Sequence, residues 1–231
     1  MKADVLVAEI GSTTTLINAF CGIRSGEPKF IGQGQAPTSV LEGDVRIGLN
    51  GAIEDLKANL GADKIEYGEM LATSSAAGGL RMCVHGLVYD MTVKAAEAAA
   101  LGAGAIVTMA TAGKLSEYDI EDLKEAKPNL ILLAGGTDYG EKETALFNAR
   151  MIAASGVKAP VIYAGNVQNK RAVEDIFQKA GISCTVTENV YPKLDKLNIE
   201  PARKIIHQVF EEHIIKAPGM EHIRDMVTGH I

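Results

Sequence analysis

The 231-residue chain is 47% hydrophobic and 5% aromatic, lacks Trp and carries a formal net charge of −6, a composition that suits closely packed α/β layers in one large domain or two small ones. Lys and Arg are scattered without a basic stripe, which argues against a nucleic-acid partner, and an acidic chain has no general attraction to anionic membranes. Cys21, Cys83 and Cys184 form no CxxC pair, which argues against a disulfide framework or a zinc site, and no apolar run of about 18 residues offers a membrane-spanning helix, so the sequence reads as that of a soluble, cytoplasmic protein.

In chain order, residues 4–10 read as a strand and 13–21 as a second, joined too closely for anything but a hairpin. KFIGQGQA (29–36) supplies a third strand. Val45, Leu49, Ile53, Leu56 and Leu60 recur at helical spacing, and Gly61 closes that helix. This β-β-β-α opening is the start expected of a ribonuclease-H-like fold. Two apolar runs split by a small-residue loop follow at 69–88, then an alanine-rich helix ended near Gly102 and a strand at 106–111. A helix near 116–126 leads to NLILLAGG (129–136), a helix near 141–154, APVIYAGN (159–166), a helix near 169–180 and ISCTVTENV (182–190). That alternation predicts a parallel βαβαβ unit. A strong amphipathic helix covers 200–216, and the tail beyond Pro218 has an amphipathic pattern. No low-complexity linker appears. The subdivision drawn is a first-lobe core over 1–128 and the parallel unit with the C-terminal helices over 129–231.

Four stretches bear on chemistry. At the first hairpin, Gly11 permits close backbone approach. Backbone N–H groups with the hydroxyls of Ser12, Thr13 and Thr14 can cradle phosphate oxygens, while Glu9 can hold magnesium through water. A plain hairpin with a Ser/Thr-rich turn has the same pattern. AGGTDYGEKE (134–143) follows an apolar strand and precedes a helix, a position that attracts anions. It matches neither a Walker motif nor GxGxxG. A tight βα turn with Thr137 or Asp138 as helix cap explains it as well. TSSAAGG (73–79) reads first as a close-packing segment, and Asn166 in AGNVQNK as a ligand contact or a helix cap. No GxSxG or HExxH is present. His85 reads as a satisfied structural residue, Cys83 as buried and inert, and Tyr139 and Tyr163 as packing residues unless they stack on a base.

These residues carry a resemblance. ADVLVAEIGSTTTLINAF (3–20) resembles the first phosphate motif of the actin, sugar-kinase and heat-shock-chaperone ATPase superfamily, with Glu9 standing where that superfamily has Asp. More narrowly, EIGSTTT (9–15), APTSVLEGDVRIGL (36–49), TSSAAGGLRMCVHGLV (73–88), LLAGGTDYGEKETALFNAR (132–150), VIYAGN (161–166), LNIEPARKIIHQVF (197–210) and APGM (217–220) are similar, in order, to the methylaspartate (glutamate) mutase accessory family. The resemblance implies an actin-like ATPase fold, with ATP and magnesium as cofactors. It implies an adenosylcobalamin-dependent mutase of the glutamate mutase type as partner, kept active by exchange of damaged cobalamin. ATP hydrolysis coupled to that reactivation is the activity such a fold would have. Gly11 to Thr14 would hold phosphates, Glu9 would position a magnesium-bound water, and Gly135, Gly136, Thr137 and Asp138 would line the cleft. Members are about twice this length, so a C-terminal lobe or second subunit would complete the site.

Two other readings stand beside it. A small-molecule kinase of the same superfamily would need a carboxylate aimed at a substrate hydroxyl, for which Asp44 and Asp90 are available. A non-catalytic module could grip the mutase through the parallel half. It would not bind base-off cobalamin through a DxHxxG motif, which the chain lacks.

Overall fold

The computed structural model describes residues 1–76, 79–215 and 219–228, with the side chains of 213–215 left aside. The elements are β1 (Lys2–Ile10), β2 (Thr14–Cys21), β3 (Lys29–Pro37), α1 (Val45–Leu60), β4 (Glu66–Ser74), β5 (Arg81–Gly86), α2 (Lys94–Gly102), β6 (Ile106–Ala112), α3 (Glu117–Ala126), β7 (Leu130–Leu133), α4 (Glu143–Ala154), β8 (Val161–Tyr163), α5 (Lys170–Lys179), β9 (Cys184–Val186) and α6 (Glu200–Ile215). The chain divides into two compact units, residues 1–79 with 211–231 and residues 80–210.

In the first unit, β1 and β2 form the expected antiparallel hairpin and β3 continues the meander. After α1, β4 returns parallel to β1, giving the sheet order β3-β2-β1-β4. Leu6, Ala8 and Ile10 alternate with the less buried Val7 and Glu9 along β1 and are fully buried with Ile17, Leu49, Ala52 and Leu56, which is the one-sided pattern of a sheet covered by a helix. Gly34 makes that cover possible: a Cβ there would strike the Ala52 carbonyl on α1. Asp44 caps α1 by accepting the Arg46 N–H at 2.9 Å, and Gly61 closes the helix in the left-handed region at φ 58°. The C-terminal segment belongs to this unit, where Thr228 donates its N–H to the Met70 carbonyl on β4 and Met220 and Ile223 are buried.

The second unit is a five-stranded sheet, parallel throughout, in the order β6-β5-β7-β8-β9. Counted within the unit this is 2-1-3-4-5, a doubly wound order whose direction reverses between β5 and β7. One face packs on α2 and α6 through Ala95, Ala96, Ala99, Ala202 and Ile206. The other packs on α3, α4 and α5 through Leu123, Ala145, Ala149, Val173 and Phe177. β7 is Leu-Ile-Leu-Leu and wholly buried, as a strand covered on both faces must be.

The boundary therefore falls at 79/80 and not at 128/129. The reason is pairing: Met82 to His85 on β5 lie in register with Leu130 to Leu133 on β7, and β6 pairs with β5. The strands read as the end of a first-lobe core, β5 and β6, belong to the second sheet, β5 inside it and β6 at its edge.

Candidate functional site

The first unit gathers hydroxyls at the carboxyl end of β1. Gly11, Ser12 and Thr13 join β1 to β2, and the turn is closed by the Gly11 N–H donating to the Thr14 carbonyl at 2.9 Å. A Cβ on Gly11 would stand 2.8 Å from that carbonyl oxygen, so the glycine is required by the turn itself, whatever approaches it. The loop leaving β3 supports the tip. Thr38 donates its N–H to the Thr13 carbonyl and its hydroxyl to the Gly11 carbonyl, both at 2.9 Å. On the other side, the Ser75 N–H and the Ser74 hydroxyl donate to the Ile10 carbonyl.

What is left over at this tip is a set of donors. Ser12, Thr13 and Thr14 are exposed. Among the described residues their hydroxyls, and the backbone N–H groups of Ser12 and Thr13, have no intramolecular partner. Glu9 is exposed on β1, between Leu16 on β2 and Thr73 on β4. The structure thus brings Glu9, Gly11, Ser12, Thr13 and Thr14 together, and adds Thr38, which the sequence reading passed over. A single carboxylate suits a hydrated magnesium ion carried in by phosphates; among the described residues no group of three or more His, Cys, Asp or Glu is arranged to hold a metal by itself. Of TSSAAGG, residues 77 and 78 lie outside the described residues.

The second unit holds Gly135, Gly136, Thr137 and Asp138 at the carboxyl end of β7. Both glycines have positive φ, and a Cβ on Gly136 would strike the Glu141 carbonyl. Neither Thr137 nor Asp138 caps α4. The cap position is Lys142, which makes no side-chain bond, and Glu141 just before it accepts the Thr144 N–H of the first turn at 2.8 Å, because the loop runs on four residues further before the helix begins. Asp138 instead accepts the Val167 N–H at 2.9 Å and the Asn189 amide at 3.0 Å. Asn166 is fully buried and takes the capping role read for it, accepting the Gln168 N–H. It also accepts the Tyr139 N–H and donates to the carbonyls of Gly140 and Glu141. Tyr163 is buried and donates its hydroxyl to the Asn166 carbonyl; burial pushes its phenol upward.

Other candidates resolve into structural roles or depart from them. Asp44 is held to about pH 2 by its hydrogen bond from Arg46, and Asp90 pairs with Lys94 at 2.7 Å; both carboxylates are engaged. Burial raises the Cys83 thiol and raises that of Cys184 to about 12, so neither is a ready nucleophile. His85 is only half satisfied: Nδ1 meets the Thr111 hydroxyl at 2.7 Å, while Nε2 is buried with no partner among the described residues. Its place at the end of a central strand, packed between β6 and β7, was not readable locally.

The chain matches the family model described as MutL protein over residues 5–231. A curated relative, Protein MutL of Clostridium tetanomorphum, is 45% identical over 191 residues, covering 83% of this chain and 41% of the relative. The chain therefore spans less than half the length of that relative. Among solved structures, one described as "Mechanism of ATP-Dependent Acetone Carboxylation, Acetone Carboxylase nucleotide-free structure" is 16% identical, with a TM-score of 0.45 over 96% of this chain and 34% of its own. That likeness is too low to carry an argument. No helix among the described residues is long and apolar enough to cross a membrane.

Proposed function

The chain belongs to the MutL protein family, the methylaspartate mutase accessory family, and from that premise we propose that it is the phosphate-binding part of an ATP-dependent accessory protein. Its partner would be an adenosylcobalamin-dependent mutase of the glutamate mutase type, which it keeps active by assisting exchange of damaged cobalamin. The observation that carries this reading is the hairpin tip, where three exposed hydroxyls and two backbone N–H groups stand without internal partners among the described residues, beside an exposed carboxylate. Such a cradle of short donors suits phosphate oxygens. Gly11 would let backbone approach them, Ser12 to Thr14 would donate, and Glu9 would orient water on magnesium. The ion itself would supply charge neutralisation between phosphate oxygens. ATP bound at such a tip drives a change in a partner only through different affinity for two states; that difference would loosen the mutase's hold on an inactive cofactor.

The kinase reading finds no support, since Asp44 and Asp90 are both tied to cations of their own unit. In the loop 134–143 the Asp138 carboxylate and the carbonyls of Gly135, Gly136, Gly140 and Glu141 are engaged in internal bonds, and the proposal rests on the exposed hydroxyls of the hairpin and not on Gly135 to Asp138.

Isothermal titration of Mg-ATP into this chain tests the reading, with Ser12, Thr13 and Thr14 replaced together by Ala as control. Saturable binding that weakens by roughly tenfold or more in the variant supports it, one such factor being about 1.4 kcal/mol. Wild-type protein that takes up no Mg-ATP, or a variant that binds equally well, overturns it.

A further inference from the structure

At the carboxyl end of β7, β8 and β9 the second unit encloses a hollow of about 300 Å³. Four charged side chains line it, two of each sign: Asp138 and Glu188, Lys170 and Lys196. Among the described residues none of the four stands in an ion pair. The carboxylates are held by neutral groups. Asp138 accepts from the Val167 N–H and the Asn189 amide, and Glu188 accepts from the Asn198 amide at 3.0 Å. Neutral donors fix a carboxylate in place and leave its charge available.

The walls are pre-shaped. Three buried asparagines tie the 134–143 loop down. Asn166 bonds to Tyr139, Gly140 and Glu141, Asn169 to the Lys142 carbonyl, and Asn189 to the Gly136 carbonyl and Asp138. Tyr139, next to Asp138, is forced to φ 64° and is 77% exposed, and Asp195, next to Lys196, has φ 55°. Non-glycine residues held in the left-handed region concentrate at ligand-binding loops, where the surroundings over-determine them. The hollow opens at the carboxyl ends of the strands, the end at which open parallel sheets take ligands, though on the β7–β9 side of the switch point between β5 and β7. Unpaired cations and anions facing one rigid hollow call for a ligand that carries both charges.

We propose that this hollow binds a small zwitterion of the α-amino acid class, its carboxylate received by Lys170 and Lys196 and its ammonium group by Asp138 and Glu188. The site lies wholly within residues 80–210 and does not depend on the nucleotide reading of the hairpin.

The test is a thermal-shift and calorimetric screen of this chain against each standard L-α-amino acid at millimolar concentration. At least one raises the melting temperature and titrates to saturation. Its N-acetyl derivative and its methyl ester, each lacking one charge, bind roughly tenfold more weakly or worse. Lys196→Met and Glu188→Gln, at exposed side chains, weaken binding by a similar factor while leaving the unliganded melting temperature unchanged. The proposal is overturned if no amino acid binds, if either blocked derivative binds as well as its parent, or if both variants bind as well as the wild type. Mg-ATP titrated in parallel reports on the hairpin alone, so either site can fail without the other.

Discussion

The Thr38 hydroxyl donates to the Gly11 carbonyl at 2.9 Å and lies 3.0 Å from the hydroxyl of Thr15, which is fully buried. A hydroxyl has one hydrogen to give. With Thr38 committed to Gly11, Thr15 must donate to Thr38, and the hairpin tip is fixed from the loop that follows β3.

Thr38→Val removes both bonds and strands the buried Thr15 hydroxyl. The expected cost is about 1–3 kcal/mol in urea unfolding, with Thr38→Ser restoring most of it. Because the Gly11 carbonyl then loses its tether, Mg-ATP affinity should fall in the valine variant and recover in the serine variant. A stability loss with unchanged nucleotide affinity would make Thr38 a strut for the fold alone.

His85 sets an acid limit. Burial lowers its imidazole from 6.5 to about 4, so the folded chain holds it neutral where the unfolded chain would protonate it. The unfolded state then binds more protons, and stability rises with pH through that window. The contribution is fully present above about pH 6.5 and is lost as pH falls towards 4, about 3 kcal/mol in all. Asp119, the charge that opposes this shift, is itself held down by Ser116 in the capping box of α3, and its contribution is lost only below the ordinary carboxylate range. Urea midpoints measured from pH 4 to 8 should therefore slope in the wild type. They should flatten in His85→Gln over the same window.

Much of this fold is legible from local pattern. The apolar spacing from Val45 to Leu60 and the cap at Gly61 give α1 to the residue, and the uninterrupted Leu130–Leu133 run announces a strand covered on both faces. Which sheet a strand joins is not local information. Arg81–Gly86 follows β4 after six residues, with no low-complexity stretch between them in the sequence, and only the distant register of Met82 with Leu130 assigns it to the second unit. The candidate sites divide the same way. Glu9 to Thr14 are consecutive, so their grouping is visible in sequence. The hollow draws Asp138 from the loop after β7, Lys170 from the start of α5, and Glu188 and Lys196 from the loop after β9, and no spacing rule connects them. The side-chain bond to the first turn of α4 was missed because Glu141 acts from beyond a loop whose length only its bonds to Asn166 explain.

Asn166 is the residue on which that loop depends most. It is fully buried and bonds through both ends of its amide to Tyr139, Gly140, Glu141 and Gln168. Asn166→Ala leaves two N–H groups and two carbonyls without partners, at an expected cost of about 3 kcal/mol or more. Asn166→Asp does not rescue it, because a carboxylate would face the carbonyls of Gly140 and Glu141 that the amide nitrogen now serves. Urea unfolding reads the loss, and limited proteolysis should show earlier cutting between Thr137 and Lys142 in both variants. A variant as stable as the wild type would mean that the loop keeps its shape without the amide.

Tyr139 gives the most direct test of stored backbone strain. Its φ of 64° lies in the left-handed region, which costs an L residue about 1–2 kcal/mol. Glycine escapes that cost but loses more freedom on folding, by about 0.5–1 kcal/mol. Tyr139→Gly and Tyr139→Ala both delete the exposed ring, so their difference isolates the backbone. The glycine variant should be the more stable of the two by about 0.5–1 kcal/mol. Tyr118 supplies the opposite sign: it is 78% exposed on α3, and glycine there should be less stable than alanine by about 1 kcal/mol. Both differences are measured by urea unfolding. If Tyr139→Gly lost stability relative to Tyr139→Ala, the left-handed turn would not be strained and the loop would hold no stored energy for a ligand to draw on. If it gained stability while amino-acid binding weakened, strain and recognition would reside in the same residue.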